Sequence, residues 1–323
     1  MEKLLEVRNL KTHFFLKTGV LKAVDGIDFH IVEGETLGIV GESGCGKSTV
    51  ARSILRLIPS PPGRIVSGEI LLQGEDILKK GEDEIREIRG NKISMIFQDP
   101  TTFLNPVYAA GDQIGEGIVA HQGFVKKSAW KRAIGLLRDV GIPSPSRQAH
   151  SYPHQLSGGM CQRVMIAMAI ACNPSLLIAD DPTTALDVTI EAQILELLKE
   201  IRESQNTSII LITHDLGIVA RFCDRVAVMY AGKILEIADV FDLYKNPHHP
   251  YTRGLLKSIP NPAVETEKLE SIKGQPPDLT NLPEDRCVFL PRCEEAYSPC
   301  RSGRPELVEV GPSHLACCFR TKR

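Results

Sequence analysis

The sequence predicts an α/β protein with a mostly parallel central sheet covered by helices. The apolar run Thr36–Val40 is followed by a glycine-rich loop and then by helix formers from Lys47 to Leu57, a strand–loop–helix beginning. Other apolar runs of strand length alternate with helical patterns, at Ser94–Phe97, Leu176–Ala179, Ser208–Thr213 and Arg225–Met229. Between Asp112 and Cys172 the pattern is helical throughout, which predicts an inserted helical subdomain.

The length of 323 residues exceeds that of a usual single domain. Residues 3–9 and 28–32 have apolar side chains at strand spacing. From Ile259 onward proline and polar residues become frequent, which indicates a linker or extended arm that leads to a cysteine-rich tail. We therefore predict one large domain over 1–260, with the helical subdomain at about 100–172, and a C-terminal extension over 261–323.

The composition is that of an ordinary globular protein, with 42% hydrophobic and 24% charged residues. A net charge of −2 gives no basic surface for nucleic acid. The N-terminus is charged and lacks the apolar core of a signal peptide. The longest apolar runs have the length of a strand and are too short to span a bilayer. We therefore expect a protein that stays in the cytosol or reaches a membrane only through partners.

The clearest motif is a phosphate-binding loop that directly follows a strand and opens a helix. Its residues are Gly41, Glu42, Ser43, Gly44, Cys45, Gly46, Lys47, Ser48 and Thr49, which match the pattern G-x-x-x-x-G-K-[S/T]. The glycines let backbone N–H groups face phosphate oxygens, and the helix directs its N-terminal partial positive charge at the same anion. Lys47 would supply a charge to the β- and γ-phosphates, and Ser48 a hydroxyl to Mg²⁺.

A second candidate motif is the buried strand Leu176–Ala179, which ends in the carboxylates Asp180 and Asp181. Such an arrangement fits a Mg²⁺ shell held by Asp180, with Asp181 facing the attacking water. Adjacent carboxylates after a strand are not specific alone, because strands often end in acidic turns. The phosphate-binding loop earlier in the chain requires such a partner, and this favours the functional interpretation.

The run Leu156, Ser157, Gly158, Gly159 and Met160 resembles the signature of ABC ATPases. It stands between the phosphate-binding loop and Asp180 in the order and spacing of that family. The resemblance covers about residues 1–260. It implies that Gln98 is the Q-loop glutamine, that Ala185, Leu186 and Asp187 form the D-loop, and that His214 is the switch histidine. It also implies that an aromatic residue stacks on adenine, with Phe14 preferred and Phe15 the alternative.

The resemblance implies a P-loop NTPase fold that adds an antiparallel β subdomain to the central sheet and the helical subdomain. It implies binding of ATP and Mg²⁺, with Ser48, Gln98 and Asp180 at the metal. The expected catalytic residues are Asp181, His214 and Gln98. In this family two subunits form a head-to-tail dimer, in which Ser157, Gly158, Gly159 and Met160 of one subunit close over the ATP of the other. Asp187 of the D-loop is expected among the residues that bind the nucleotide.

Three positions depart from the family pattern. Asp181 stands where active members usually carry Glu and is one methylene shorter, so its carboxylate is expected to reach the water less well. Met160 replaces the usual Gln, and Cys161 replaces an Arg but is expected to face away from the phosphates. The Asp181 departure keeps one alternative open, a weakly hydrolysing or non-hydrolysing partner in an asymmetric ATPase heterodimer.

Three segments resemble the ATPases of peptide permeases, most closely the D-type ATPase of dipeptide permeases. They are Gln98–Glu116, Asn246–Pro260 and the cysteine tail. The resemblance implies an ATP-hydrolysing subunit that powers import of dipeptides or oligopeptides from the cytoplasmic face of the membrane. Its implied partners are a second homologous ATPase subunit or a copy of itself, two integral membrane permease subunits and, indirectly, an extracytoplasmic peptide-binding protein. No nucleic acid is expected.

The tail holds five of the nine cysteines, between Cys287 and Cys318. It is too short and too rich in proline to build a sizeable core, so a metal or crosslinks are expected to hold its shape, and a cytosolic location argues against disulfides. Unligated thiols in a disordered tail are the remaining alternative. Four thiolates suit either zinc or an iron–sulfur cluster, and the paired C-x₂-C spacing of structural zinc is missing. The resemblance to dipeptide-permease ATPases implies a [4Fe–4S] cluster on Cys287, Cys293, Cys300 and Cys317, with zinc as the alternative and Cys318 as a spare.

Overall fold

The computed structural model describes residues 2–184, 187–259, 271–283 and 285–322. It divides into two compact units. The first contains Val32–Glu35 and Lys79–Leu211, and the second contains Lys3–Ile31, Thr36–Leu78 and Ile212–Arg323. The predicted domain boundary at residues 260 and 261 lies outside the described residues, so the division into 1–260 and 261–323 stays a prediction.

The described chain alternates strands and helices. The strands are β1 (Lys3–Leu16), β2 (Gly19–Val32), β3 (Thr36–Val40), β4 (Gly63–Leu72), β5 (Glu75–Asp76), β6 (Ile93–Ile96), β7 (Leu176–Asp180), β8 (Ser208–Thr213), β9 (Arg225–Tyr230), β10 (Lys233–Asp239), β11 (Val308–Gly311) and β12 (His314–Ala316). The helices are α1 (Lys47–Ile54), α2 (Glu82–Ile88), α3 (Pro100–Phe103), α4 (Ala110–Gln122), α5 (Lys126–Asp139), α6 (Pro145–Gln148), α7 (Gly158–Ile170), α8 (Val188–Gln205), α9 (Leu216–Phe222), α10 (Val240–Lys245), α11 (Pro250–Lys257) and α12 (Ser298–Ser302). Short 3-10 helices cover Pro153–Gln155, Leu290–Arg292 and Phe319–Lys322.

The second unit carries a four-stranded sheet of order β2-β1-β4-β5, in which β1 and β4 run antiparallel. It also carries strands in the order β11-β12-β10-β9-β3, with β3 and β9 parallel and the other pairs antiparallel. The tail strand β12 pairs with β10 through Ile237 and Leu315. The C-terminal extension is therefore part of the sheet of this unit.

The first unit holds β6 and β7, which are parallel neighbours, and helices α2 to α8. Its helices pack through apolar side chains such as Ile114, Ile118, Leu137 and Ile166, all of them buried. These positions recur at helical spacing, which is why the predicted helical stretch folds around a core of its own. None of the helices described in the chain is long and apolar enough to cross a membrane.

The predicted α/β class is confirmed, and two strands lie at their predicted bounds, Thr36–Val40 and Ser208–Thr213. The helix predicted from Lys47 to Leu57 ends at Ile54. The sheet is more mixed than predicted because β10, β11 and β12 add antiparallel pairs beside β9.

Candidate nucleotide site

The phosphate-binding loop lies between β3 and α1, and two of its glycines are required by the path of the backbone. Gly46 has a φ of +111°, and a Cβ there would lie 2.1 Å from the carbonyl oxygen of Ala23. A Cβ on Gly41 would lie 2.1 Å from the carbonyl oxygen of Met229. A backbone carbonyl in a sheet cannot move aside at little cost, so this loop conformation admits only glycine at both positions.

Lys47 lies inside the same loop. Its side chain is buried, and its ammonium donates to the carbonyl oxygens of Gly41 at 2.7 Å and Glu42 at 3.1 Å. Helix α1 begins at Lys47 and has no acidic residue in its first turn. A fixed cation and a helix N-terminus therefore face the same loop, as a bound phosphate requires.

The aromatic residues proposed to stack on adenine lie near the end of β1. Phe14 is half-buried and pairs with Gly63 of β4. A Cβ on Gly63 would lie 2.9 Å from Cε1 of Phe14, so the Phe14 ring packs closely against this glycine. Phe15 is 52% exposed. The larger surface open to a base therefore belongs to Phe15, and the stacking role of Phe14 stays a prediction.

The first unit places Gln98 and Asp180 at one edge of its sheet. Strands β6 and β7 are parallel, with Ile96 opposite Ala179, so the residues that follow them emerge side by side. Asp180 is 3% exposed. Asp181 has a φ of +46°, in the left-handed region that aspartate adopts more readily than most side chains.

The signature residues open helix α7, which begins at Gly158. Ser157 is the N-cap, and its hydroxyl oxygen accepts from the backbone N–H of Met160 at 3.3 Å. Ser157 and Gly158 are exposed. Cys161 is buried, and its thiol donates to the carbonyl oxygen of Pro153. It therefore points into the core of its unit, which agrees with the expectation that it faces away from phosphate.

Helix α7 is also tied to the chain that follows Asp181, through a residue that the sequence analysis missed. Gln162 is 1% exposed, and its Nε2 donates to the carbonyl oxygen of Pro182 at 2.7 Å. A buried amide without such a partner would be costly. The sequence signal for Gln162 is a polar residue within the largely apolar helix run MCQRVMIAMAI.

Two further predicted residues stand at helix starts. Asp187 is the N-cap of α8, and its carboxylate accepts from the N–H of Ile190 at 3.0 Å. The other D-loop residues, Ala185 and Leu186, lie outside the described residues. His214 is exposed and follows β8 directly, and Asp215 caps α9. His214, like the phosphate-binding loop, belongs to the second unit, whereas Gln98, Asp180, Asp181, Asp187 and the signature residues belong to the first.

The predicted iron–sulfur cluster is contradicted by the structure. In the part of the chain that the structure describes, no three His, Cys, Asp or Glu side chains are arranged so that they could hold a metal ion. The thiol of Cys317 donates to the carbonyl oxygen of Pro305 at 3.0 Å. Cys287, Cys293 and Cys300 instead lie around a small cavity with Cys318, the cysteine that was expected to be the spare.

Burial raises the pKa of Cys287 to about 11 and that of Cys317 to about 12. Both thiols are therefore neutral in the chain without a metal. Zinc, the alternative considered for this tail, is not supported either, because no group of three ligands in the described residues is arranged to hold a metal ion.

Comparisons with known proteins agree with the site geometry. Residues 24–184 match the family described as ABC transporter, and residues 235–300 match the family described as oligopeptide/dipeptide transporter, C-terminal region. The chain is 52% identical over 319 residues to the oligopeptide transport ATP-binding protein AppD of Bacillus subtilis, which covers 99% of this chain and 97% of that protein. It is 49% identical over 319 residues to the dipeptide transport ATP-binding protein DppD of the same organism, covering 99% and 95%.

Among solved structures, the chain resembles the dimeric, post-hydrolysis ATP-binding cassette MJ0796 bound to ADP and Pi. The TM-score is 0.66 at 29% identity, over 73% of this chain and 98% of that one. The fold and the relatives define a P-loop ATPase of the ABC class. The chain belongs to the family of ATP-binding subunits of ABC transporters, within the group that carries the oligopeptide/dipeptide transporter C-terminal region. The family implies binding of ATP and Mg²⁺.

Proposed function

We propose that this protein binds and hydrolyses ATP to power an ABC importer of dipeptides or oligopeptides. The phosphate-binding loop carries the proposal, because its glycines are sterically required and its lysine is buried at a helix N-terminus. The substrate class is supported by relatives of about 50% identity that are named for oligopeptide and dipeptide transport. Nothing in these comparisons supports the alternative of a non-hydrolysing partner.

The residue roles follow from the chemistry of each group. Lys47 and N–H groups within the loop from Gly41 to Thr49 hold the phosphates, and Phe14, or Phe15 as the alternative, stacks on the base. Ser48, Gln98 and Asp180 serve the Mg²⁺ shell. Asp181 acts as general base and His214 senses the γ-phosphate. Mg²⁺ prefers oxygen ligands. The hydroxyl of Ser48, the amide oxygen of Gln98 and the carboxylate of Asp180 supply them, so these three residues suit the metal.

The proposed working state is a dimer in which the signature of one subunit covers the nucleotide of its partner. Ser157 and Gly158 are exposed at the start of α7, and this supports the proposal because an anion can approach that helix N-terminus. The partner is a second homologous subunit or another copy of this chain. We also propose that the chain divides into a nucleotide-binding domain over 1–260 and an extension over 261–323. The protein is proposed to act at the cytoplasmic face of the membrane.

A groove in the first unit is proposed to receive a cytoplasmic helix of the membrane subunit. Its volume is about 810 Å³. Its wall includes Phe103, Tyr108, Val119 and Trp130. Phe103 and Tyr108 are 45% and 56% exposed. An apolar groove of this size suits the apolar face of a helix.

The rim of this groove is fixed, which favours a docking role. The side chain of Gln113 accepts from the N–H of Asn105 at 2.8 Å and donates to the carbonyl oxygens of Asn105 and Tyr108. The segment follows Gln98 in the chain, so a change at Gln98 can move it. Cysteines placed at Val107 or Tyr108 are expected to crosslink to the permease in assembled transporter, whereas a cysteine at the exposed Lys199 of α8, which does not line the groove, is not. Absence of crosslinks from both groove positions would contradict the docking site.

The ATPase proposal is tested by titration calorimetry with Mg-ATP on the full-length protein. Lys47→Ala should lower ATP affinity by at least about 30-fold, since a buried charge partner of the phosphates is lost. Lys127→Ala removes an equal charge from α5 and should change nothing. Hydrolysis is then measured with the permease and the second ATPase subunit in vesicles. Equal affinity of wild type and Lys47→Ala would rule out the phosphate-binding role.

A further inference from the structure

The C-terminal extension reaches the phosphate-binding loop through one arginine. Arg292 ends the 3-10 helix Leu290–Arg292, and its guanidinium forms a two-pronged ion pair with Glu42. Nη1 lies 2.7 Å from Oε2 and Nη2 lies 2.9 Å from Oε1. Glu42 is the second residue of the loop, so a side chain 250 positions away in the sequence contacts the segment proposed to hold the phosphates.

Arg292 is held from several sides. Its Nε donates to the carbonyl oxygen of Lys273 at 3.0 Å, and Nη2 also donates to that of Ile272 at 3.3 Å. The guanidinium carbon lies 5.8 Å from the ring centroid of Tyr230, within cation–π range. The side chain is 4% exposed. A guanidinium with this many fixed partners has lost its freedom to move, so it can hold Glu42 in one place.

Glu42 is also held by its backbone. Its N–H donates to the hydroxyl oxygen of Tyr251 at 3.0 Å. Tyr251 is fully buried in helix α11 and packs against Tyr230 and Phe289, with ring centroids 4.7 and 5.4 Å away. Phe289 belongs to the extension, three residues before Arg292. The aromatic cluster therefore fixes the extension and the loop to the same core.

The charge of Glu42 gives this contact a consequence for the nucleotide. A carboxylate in the loop would repel the phosphates of ATP unless a cation neutralises it. The paired geometry with Arg292 both neutralises the carboxylate and fixes its direction. Because the pair is largely buried, salt screens it less than it screens a surface pair.

We propose that Arg292 is a positioning residue of the ATP site: it neutralises and fixes Glu42, and so couples the C-terminal extension to nucleotide affinity. The inference rests on the proposed ATPase function. Arg292 does not contact the phosphates and acts only through Glu42. Its loss therefore affects the affinity for Mg-ATP more than turnover at saturating ATP.

The test measures binding of Mg-ATP and of a slowly hydrolysed ATP analogue to the full-length protein by titration calorimetry. Arg292→Ala should weaken binding by about tenfold, in the range found for coupled contacts. Adding Glu42→Gln to Arg292→Ala should restore most of that affinity, because the unpaired charge is then removed. Loss of packing alone predicts no such rescue. In assembled transporter the KM for ATP should rise about as much as the Kd, with kcat changed less than twofold.

Arg253→Ala is the matched control. Arg253 pairs with Glu295 at 2.9 Å within the same region, and its partner Glu295 is not a loop residue, so its removal should leave the affinity for Mg-ATP unchanged. If Arg292→Ala does not fold, the Mg-ATP affinity of Arg292→Lys is measured instead. A lysine keeps the charge but cannot form the paired contact, so about threefold weaker binding is expected and unchanged binding overturns the inference.

Two further results overturn the inference and leave the ATPase function intact. They are an Arg292→Ala variant that folds and binds Mg-ATP within twofold of wild type, and a double variant that binds no better than Arg292→Ala. Wild-type protein that binds no ATP would instead contradict the proposed function itself. The outcomes are therefore distinguishable.

Discussion

The starts of α1 and α7 are both glycine-containing helix N-termini, but they are built differently. At α1, Gly41 and Gly46 are packed against backbone carbonyls, and Lys47 is buried. At α7, Gly158 has no atom within 4 Å of the position of its Cβ, and Ser157 beside it is exposed. The first set of glycines is explained within this chain. No close contact within this chain explains why residue 158 is a glycine. This favours a role for Gly158 in contact with another molecule.

Gly46→Ala should have the largest effect of the changes that test this comparison. Its Cβ would meet the Ala23 carbonyl oxygen at 2.1 Å, and its backbone is left-handed, so the loop must move. We expect ATP affinity to fall by at least about tenfold, and stability by about 3 kcal/mol, at the upper end of the cost of a strained residue. Titration calorimetry and chemical unfolding measure the two effects.

Gly44→Ala is the control for that change. Gly44 has a φ of +78° but no atom within 4 Å of its Cβ position. The variant therefore carries only the cost of the left-handed backbone, about 1–2 kcal/mol. Equal losses of stability for Gly44→Ala and Gly46→Ala would show that the close carbonyl contact is unimportant.

The phosphate-binding loop and the signature were predictable because each is a contiguous run whose chemistry depends on local backbone. Tyr251, Arg292 and Gln162 were not predicted as parts of a site. Each reaches its partner by tertiary packing, over 209, 250 and 20 positions of sequence respectively. A local pattern can mark such a residue as unusual, as it does for Gln162, but it does not identify the distant partner. Strands such as β3 and β8 were found because they are apolar throughout, whereas β4 is half-exposed and was missed.

The iron–sulfur prediction failed for a related reason. Cysteine spacing fixes the order of the thiols along the chain, but their positions depend on how the tail packs. The backbone N–H of Cys317 donates to the carbonyl oxygen of Leu235 at 2.8 Å, beside the pairing of β12 with β10. This attachment sets the place of Cys317 independently of the loops that carry Cys287 and Cys293. Spacing alone could not show it.

Gly158→Ala should have an intermediate effect. Unlike Gly46→Ala, it should lower the activity of the assembled transporter without lowering the stability or nucleotide affinity of the subunit. Alanine fits the space and favours a helix by up to about 1 kcal/mol, so the isolated subunit should be as stable as wild type or slightly more stable. If Gly158 lets a partner's phosphates approach, a methyl group there should lower transporter ATPase activity about fivefold, equivalent to about 1 kcal/mol. Nucleotide affinity of the isolated subunit should not change.

Gly135→Ala provides the comparison for Gly158→Ala. Gly135 lies within α5 and likewise has no atom near its Cβ position. It should give a similar gain in stability and no loss of activity. If Gly158→Ala also retains full activity in the assembled transporter, the contrast between the two helix starts no longer indicates a contact with a partner.

Asp181→Glu should have the smallest effect, because it keeps the charge of the carboxylate and adds only one methylene. The added methylene extends the carboxylate toward the position that the family's glutamate occupies, which should increase general-base catalysis. The backbone at Asp181, however, is left-handed with a φ of +46°, a conformation that aspartate tolerates better than glutamate. We expect turnover in the assembled transporter to rise about two- to threefold while stability falls by about 0.5–1 kcal/mol. Asp139→Glu, at the helical end of α5, controls for the added methylene without the left-handed backbone. Unchanged or lower turnover in Asp181→Glu would mean that the shorter carboxylate already reaches its working position, and that the left-handed turn places it there.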